Sequence, residues 1–219
     1  MREERPGSGR GAVAGTSAAP APAARGRPRD SDVDRRIHAA TFRQLVELGY
    51  GALSIESVAA EAGVAKTTIY RRYPTKADLV SSVLTVEVPF ELPPEELGGR
   101  EALDRFVRLV IRMLIESGAI RIVVSLLVEE VREPGLLDVF RARIIWPRLA
   151  GVEGMLRRGI ERGELRPDID PLVVMEMIAG AIFGHHAILG RVGNEAWIAS
   201  LVDHLWAAIA VDRGERGPR

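Results

Sequence analysis

The chain has 219 residues and a mass of 23.9 kDa, long enough to bury a substantial core as one large or two modest domains. It contains no cysteine, which excludes disulfide frameworks, thiolate metal sites and cysteine nucleophiles and fits a cytoplasmic protein. Thirty basic residues balance thirty acidic ones, so a polyanion site can arise only from uneven charge distribution.

Residues 1–30 hold six arginines against Glu3, Glu4 and Asp30, and no aromatic residue. Such a composition cannot bury enough apolar surface to offset ordering entropy, and a disordered arm is expected. The Ala/Pro run at 18–24 lacks the bulky apolar centre of a secretory signal. Helical periodicity begins at Ser31, which forms a capping-box pattern with Asp34, and continues through Ile37, Ala40, Phe42, Leu45, Val46 and Leu48 to Gly49. Ser54 opens a short second helix with Ile55, Val58, Ala59 and Ala62 inward, stopped by Gly63. A third short helix runs to about Tyr73, where Pro74 breaks it. Thr75 and Asp78 form another capping-box pattern for a helix over 76–88, and the Pro/Gly-rich stretch 89–99 is a linker.

Longer helical patterns follow. Leu103, Phe106, Val107, Val110 and Leu114 share a face in 100–117, and 119–131 is apolar enough to predict a buried helix. A helix over 136–162 contains Pro147, a predicted kink. Asp170 followed by Pro171 is a strong helix start, and Asn194 opens the last helix, with a stripe from Trp197 to Ile209. No segment has strand periodicity. The predicted fold is all-α: a disordered arm (1–30), a three-helix unit with its following helix (31–88), a larger helical domain (89–212) and a disordered tail (213–219).

The functional signal lies in 54–73, two short helices around a glycine turn that need the first helix to cover them. Residues 62–76 contain Lys66, Arg71, Arg72 and Lys76 and no acid; Lys66 and Lys76 are the chain's two lysines. With Ile69 inward, Thr67 and Arg71 fall opposite, flanked by Thr68 and Tyr70, with Lys66 and Arg72 at the shoulders. Hydroxyls, a phenol and a guanidinium suit base edges and phosphates in a major groove. Lys76, at a helix start, is a candidate phosphate contact. Arg25 and Arg27, in an Arg-Gly-Arg-Pro stretch, are candidates for the minor groove.

Residues 33–88, and above all Gly63-Val64-Ala65-Lys66-Thr67-Thr68-Ile69-Tyr70-Arg71-Arg72-Tyr73-Pro74-Thr75-Lys76, resemble the DNA-binding domain of the TetR (tetracycline-repressor-like) family of bacterial regulators. The usual Phe or Trp before the proline is Tyr73 here, a packing position with an added hydroxyl. Beyond it the chain resembles the family in layout, with Gly163-Glu164-Leu165-Arg166 ending the long helix as in many members. The resemblance implies a dimeric regulator, most often a repressor, released from its DNA operator by a small ligand.

Other signals carry little. Gly9–Ala14 loosely matches a dinucleotide fingerprint but no strand precedes it, and neither lysine follows a glycine as a P-loop requires. His38, His185, His186 and His204 have no metal-ligand spacing, so neither metal nor cofactor is expected. The apolar stretch 171–190 contains Glu176 and both adjacent histidines, which argues against a membrane span. Gly180 and Gly184 would instead admit another backbone, and with Trp197, Leu201 and Leu205 they predict a four-helix dimer interface, in the helices where the resemblance also places it. Phe106, Met113, Trp146, Met155 and Phe183 are candidates to line an apolar effector cavity. The alternatives are a constitutive DNA binder without an effector and an all-helical enzyme using that cavity, the latter lacking any recognisable nucleophile or base.

Overall fold

The computed structural model describes residues 27–212, with side chains from Ser31 onward, and among them it is all-α. Helices α1 (Arg27–Ala52), α2 (Ile55–Ala62), α3 (Lys66–Arg72) and α4 (Lys76–Glu87) precede a linker. Helices α5 (Gly99–Ile111), α6 (Ala119–Glu129), α7 (Leu136–Phe140), α8 (Trp146–Glu161), α9 (Pro171–Phe183) and α10 (Glu195–Ile209) follow. π turns at Arg112–Glu116 and Gly184–Ile188 extend α5 and α9, and a third, Arg141–Ile145, joins α7 to α8.

Several helix starts follow from local side-chain chemistry. Ser54 Oγ accepts from the Ser57 amide at 3.1 Å, and Thr75 and Asp78 cap one another's amides at 3.0 Å each. Asp170 accepts from the Leu172 amide at 2.8 Å and Asn194 from that of Trp197 at 2.9 Å. The helix start expected at Ser31 lies earlier: α1 begins at Arg27, with Pro28 at its second position, so Ser31 already lies inside the helix. At the other end α1 breaks at Gly49, whose φ of 77° favours glycine and whose Cβ, if present, would sit 2.9 Å from Ser125 Cβ. That closeness lets the Tyr50 amide donate to Ser125 Oγ at 3.0 Å, pinning α1 to α6. Pro147 has no amide to offer the preceding turn, and the chain accommodates it with the π turn just before it.

The buried side chains form two clusters, and their division does not follow the linker. The first joins Ile37, Leu45, Tyr50, Val58, Ile69, Leu79 and Val83 of α1–α4 to Ile122 and Leu126 of α6, Leu136 and Leu137 of α7, and Ile144. The second holds Phe106, Val107, Val110, Val152, Leu156, Val174, Ile178, Ile182, Val202 and Leu205 of α5 and α8–α10. Helices α6 and α7 therefore belong to the core under the N-terminal helices. Helix α6 is not buried all round as its composition suggested: Val124, Leu127 and Val128 are exposed, because only the Ala119, Ile122 and Leu126 face meets α1.

The Gly163-Glu164 turn has a structural task. Glu164 accepts the Gly99 amide at 2.7 Å, at the start of α5, where Gly98 offers no side-chain cap. Arg162 beside it donates to the Leu97 and Glu95 carbonyls at 3.0 and 2.5 Å, so the end of α8 fastens the linker. Glu164→Ala should lower stability by about 1 kcal/mol through the lost α5 cap; a urea midpoint equal to wild type would show that the cap carries no weight.

Candidate nucleic-acid interface

Helix α2, the turn at Gly63 and helix α3 make a helix-turn-helix. Gly63 has φ 63°, and amides of the turn return to the end of α2, Gly63 to Ala60 O at 3.3 Å and Val64 to Ala59 O at 3.0 Å. Arg36 of α1 donates to the Ala62 carbonyl at 2.8 Å, and Arg72 of α3 pairs with Asp34 of α1 at 2.8 Å. Ile69 is fully buried and anchors α3. Thr67, Tyr70 and Arg71, spaced i, i+3 and i+4, are exposed on the opposite side, with Tyr70 44% exposed. Arg71 has no ion pair or hydrogen bond among the described residues, so its guanidinium projects from α3 without a partner. Thr68 flanks this face half-buried.

Three other expected contacts are placed differently. Lys66 pairs with Glu56 of α2, an exposed bond that solvent and salt weaken, and also lies 5.6 Å from the Tyr70 ring centroid. The Tyr73 hydroxyl turns inward to His38 Nε2, at 2.8 Å, and Ser82 Oγ lies 3.3 Å from the same nitrogen. Tyr73 is thus an internal strut between α1, α3 and α4 rather than a surface contact. Lys76 donates to the carbonyls of Tyr50 and Leu53 at 3.1 and 3.4 Å, with its ammonium 4.1 Å from the Tyr50 ring centroid. Those carbonyls lie at the end of α1, so the side chain satisfies a helix C-terminus in this structure. Of the expected minor-groove pair, Arg27 is the first residue of α1 and Arg25 lies outside the described residues.

Sequence reasoning missed His38, since a histidine in an apolar stripe carries no signal of its partner thirty-five residues on. Burial depresses the His38 pKa below its ordinary 6.5, against smaller upward effects of Glu87 and Asp34. It also missed Arg148 of α8, which donates to the Val88 carbonyl at 2.6 Å and lies 3.5 Å from that of Leu84, at the end of α4. Burial lowers the pKa of Arg148 as well. At the start of α4, Asp78 pairs with Arg143 at 2.5 Å.

The five residues expected around an effector do not share one cavity. Phe106 is fully buried, edge-on to Phe90 at 6.1 Å. Met113 lines a cavity of about 50 Å³ with Leu84, Val88, Phe140, Ile144 and Arg148. Met155 lines a separate one of about 30 Å³ beside Leu103 and Trp206. Trp146 is 51% exposed, and Phe183 is half-buried on α9. Of the expected interface set, Gly180, Gly184, Trp197 and Leu201 line one open groove on α9 and α10, and the Trp197 ring stacks on His185 with centroids 4.0 Å apart. Leu205 is 3% exposed and packs inside its own chain, and Trp206, on the same predicted stripe, faces the linker and the cavity beneath it.

Fold and site together define a helix-turn-helix DNA-binding protein with a helical regulatory body. Residues 37–83 match the model of bacterial regulatory proteins of the tetR family, and residues 93–205 match that of the tetracyclin repressor-like C-terminal domain. The chain belongs to the TetR family of transcriptional regulators. It is 29% identical to the HTH-type transcriptional regulator YdeS of Bacillus subtilis, over 80% of this chain and 89% of that one. It is 29% identical to the DNA-binding transcriptional repressor TetR of Mycobacteroides abscessus, over 75% and 87%. Among solved structures, the tetR regulator TylP of Streptomyces fradiae superposes with a TM-score of 0.65 at 26% identity, covering 84% of this chain and 89% of that one.

Two predictions follow from the internal bonds. Because the folded pKa of His38 is lowered, the unfolded chain binds more protons at acid pH, so stability should be full above about pH 6.5 and fall below it. His38→Gln should flatten urea midpoints between pH 7 and 5, and an equal slope in both proteins would place the acid sensitivity elsewhere. Lys76→Met should cost roughly 1–2 kcal/mol of stability and leave the salt dependence of DNA binding unchanged; a slope reduced by about one would instead mean a phosphate contact.

Proposed function

We propose that the protein is a dimeric, cytoplasmic repressor that binds a near-palindromic operator through α3 and is released by a small, largely apolar effector. The observation that carries the proposal is the outward face of Thr67, Tyr70 and Arg71, held by the buried Ile69 and by the Arg72–Asp34 pair. Arg71 is the side chain suited to a bidentate guanine contact, with Tyr70 and the two threonines on neighbouring bases and phosphates. The repressor role is supported by the similarity to the named repressor of Mycobacteroides abscessus.

A second copy is the partner proposed for α9 and α10. On α9 Leu172, Val173 and Met177 are exposed, and α9 with its π turn, Pro171–Ile188, is long and apolar enough to cross a membrane by length and composition. Covering by a partner explains that face better than lipid does, because Glu176 interrupts it and the matched regulatory domain includes it. His185, stacked on Trp197 in the open groove on α9 and α10, has a buried Nε2 with no hydrogen-bond partner among the described residues. Two recognition helices about 34–36 Å apart would then meet successive major grooves.

Release is proposed to act through α4. This helix is tied to the α7–α8 unit at both ends, by Asp78–Arg143 and by Arg148 at Val88. An effector that shifts α8 would carry α4, and α3 with it, out of register. A coupling of about 1–3 kcal/mol gives a 5- to 150-fold loss of DNA affinity.

Footprinting the promoter beside the protein's own gene should reveal a two-fold symmetric site. Arg71→Ala should weaken binding to it by roughly 1–3 kcal/mol and relax sequence preference, and Tyr70→Ala should weaken it as well; unchanged binding in both variants would remove α3 from the interface. Gly180→Leu tests the dimer cleanly, since a Cβ there meets nothing within 4 Å in its own chain. The variant should keep its fold and sediment as a monomer, and an intact dimer would place the interface elsewhere.

A further inference from the structure

We propose that Arg148 anchors an effector that carries a carboxylate on an apolar body, and that binding exchanges the bonds of Arg148 to the end of α4 for bonds to that carboxylate. The inference rests on the ligand-responsive reading above and names the chemistry of the ligand and the contact it breaks.

Arg148 is half-buried, with its guanidinium 5.3 Å from the Phe90 ring centroid. Its partners are the Val88 carbonyl, the more distant Leu84 carbonyl and Met113 Sδ at 3.2 Å; no carboxylate lies within ion-pair distance among the described residues. Arg72, the arginine that joins α3 to α1, by contrast ends on a carboxylate, that of Asp34. A sulfur and a distant carbonyl are weak acceptors for a cation with five donors, so a carboxylate would bind the fork better than its present partners do.

The space beside Arg148 has a shape to match. Its inner part is the cavity of about 50 Å³ lined by Leu84, Phe140 and Ile144, suited to an alkyl or aryl group. An outer cleft of about 330 Å³, lined by Pro89, Glu91, Arg112 and Ser117, opens on the other side of Val88 and Met113, which border both. Met113 is unbranched and flexible, and swinging it aside merges the two spaces into one of the size small ligands occupy. It also frees the Arg148 nitrogen that now faces its sulfur. A cationic ligand would be repelled by the guanidinium, and a neutral acceptor would compete with the backbone carbonyls on about equal terms. An anion competes best for the guanidinium, through charge-assisted bonds, and the acceptor it displaces is the Val88 carbonyl at the end of α4. The Asp78–Arg143 pair at the other end stays intact, so α4 would pivot about its start, beside α3.

The test titrates the purified full-length protein with straight-chain carboxylates from hexanoate to dodecanoate and with 4-phenylbutyrate, each against the matching alcohol, by calorimetry and by release from the operator. At least one acid should bind about tenfold more tightly than its alcohol and lower operator affinity about fivefold or more. In Arg148→Met the acid should fall to the level of the alcohol by calorimetry, and the ligand-free variant, whose tie to α4 is already cut, should itself bind the operator about fivefold or more weakly than wild type; Arg112→Gln should keep the preference. If Arg148→Met does not fold, Arg148→Lys, which keeps the charge and loses the fork, should narrow the preference. Equal binding of acids and alcohols, binding of no acid in the series, or a preference lost with Arg112 and kept without Arg148 would each overturn the proposal. Release by neutral compounds alone would leave the ligand-responsive reading standing and refute the anchor. Failure of the ligand-free protein to bind any operator would instead refute the functional reading itself.

Discussion

The two ends of α4 are fixed by different chemistry to the same neighbour. At its start, Asp78 both caps the helix with Thr75 and pairs with Arg143; at its end, Arg148 reaches across to the Val88 carbonyl. Between these ties, Leu79, Val80, Val83 and Leu84 are buried in the core shared with α6, α7 and Ile144. A close-packed core resists gradual deformation, so a helix held in this way moves with the elements it is fixed to or breaks a tie. The position of α3 relative to the regulatory body depends on that constraint, because α3 is attached to α4 through Tyr73, His38 and Ser82 and through the short Pro74 turn.

The small number of side chains left free on α3 follows from how many are used inside. Lys76 satisfies the end of α1, Arg72 joins α3 to α1, and Tyr73 is bonded to His38. A seven-residue helix cannot stand alone in water, and these contacts supply the packing that its length denies it. Thr67, Tyr70 and Arg71 remain, and they share one face.

The local parts of this arrangement were legible in the sequence. The caps at Ser54, Thr75, Asp170 and Asn194, the turn at Gly63 and the inward Ile69 all depend on residues within a few positions of one another. Failures occurred where a partner is distant or where a stripe meets two neighbours. Nothing near Lys76 in sequence indicates the carbonyls of Tyr50 and Leu53, and nothing near Tyr73 indicates His38. The α10 stripe reads as one apolar face, yet Leu205 packs inward, Trp206 faces the linker and Leu201 lines the outer groove. Periodicity gives the width of a face but not what covers each part of it. Core packing also crosses the linker, since α6 and α7 pack with the N-terminal helices, a long-range pairing that composition does not report.

The coupling of α4 to the regulatory body is tested most directly by a distance between the two recognition helices of a dimer. The chain has no cysteine, so Thr67→Cys gives one spin-label site per subunit for pulsed electron-electron resonance. If the ties govern the position of α3, cutting both with Asp78→Ala and Arg148→Met should broaden or shift the distance distribution relative to the singly labelled parent, with the fold retained by circular dichroism. A distribution that stays as narrow and as centred as the parent's would contradict that dependence.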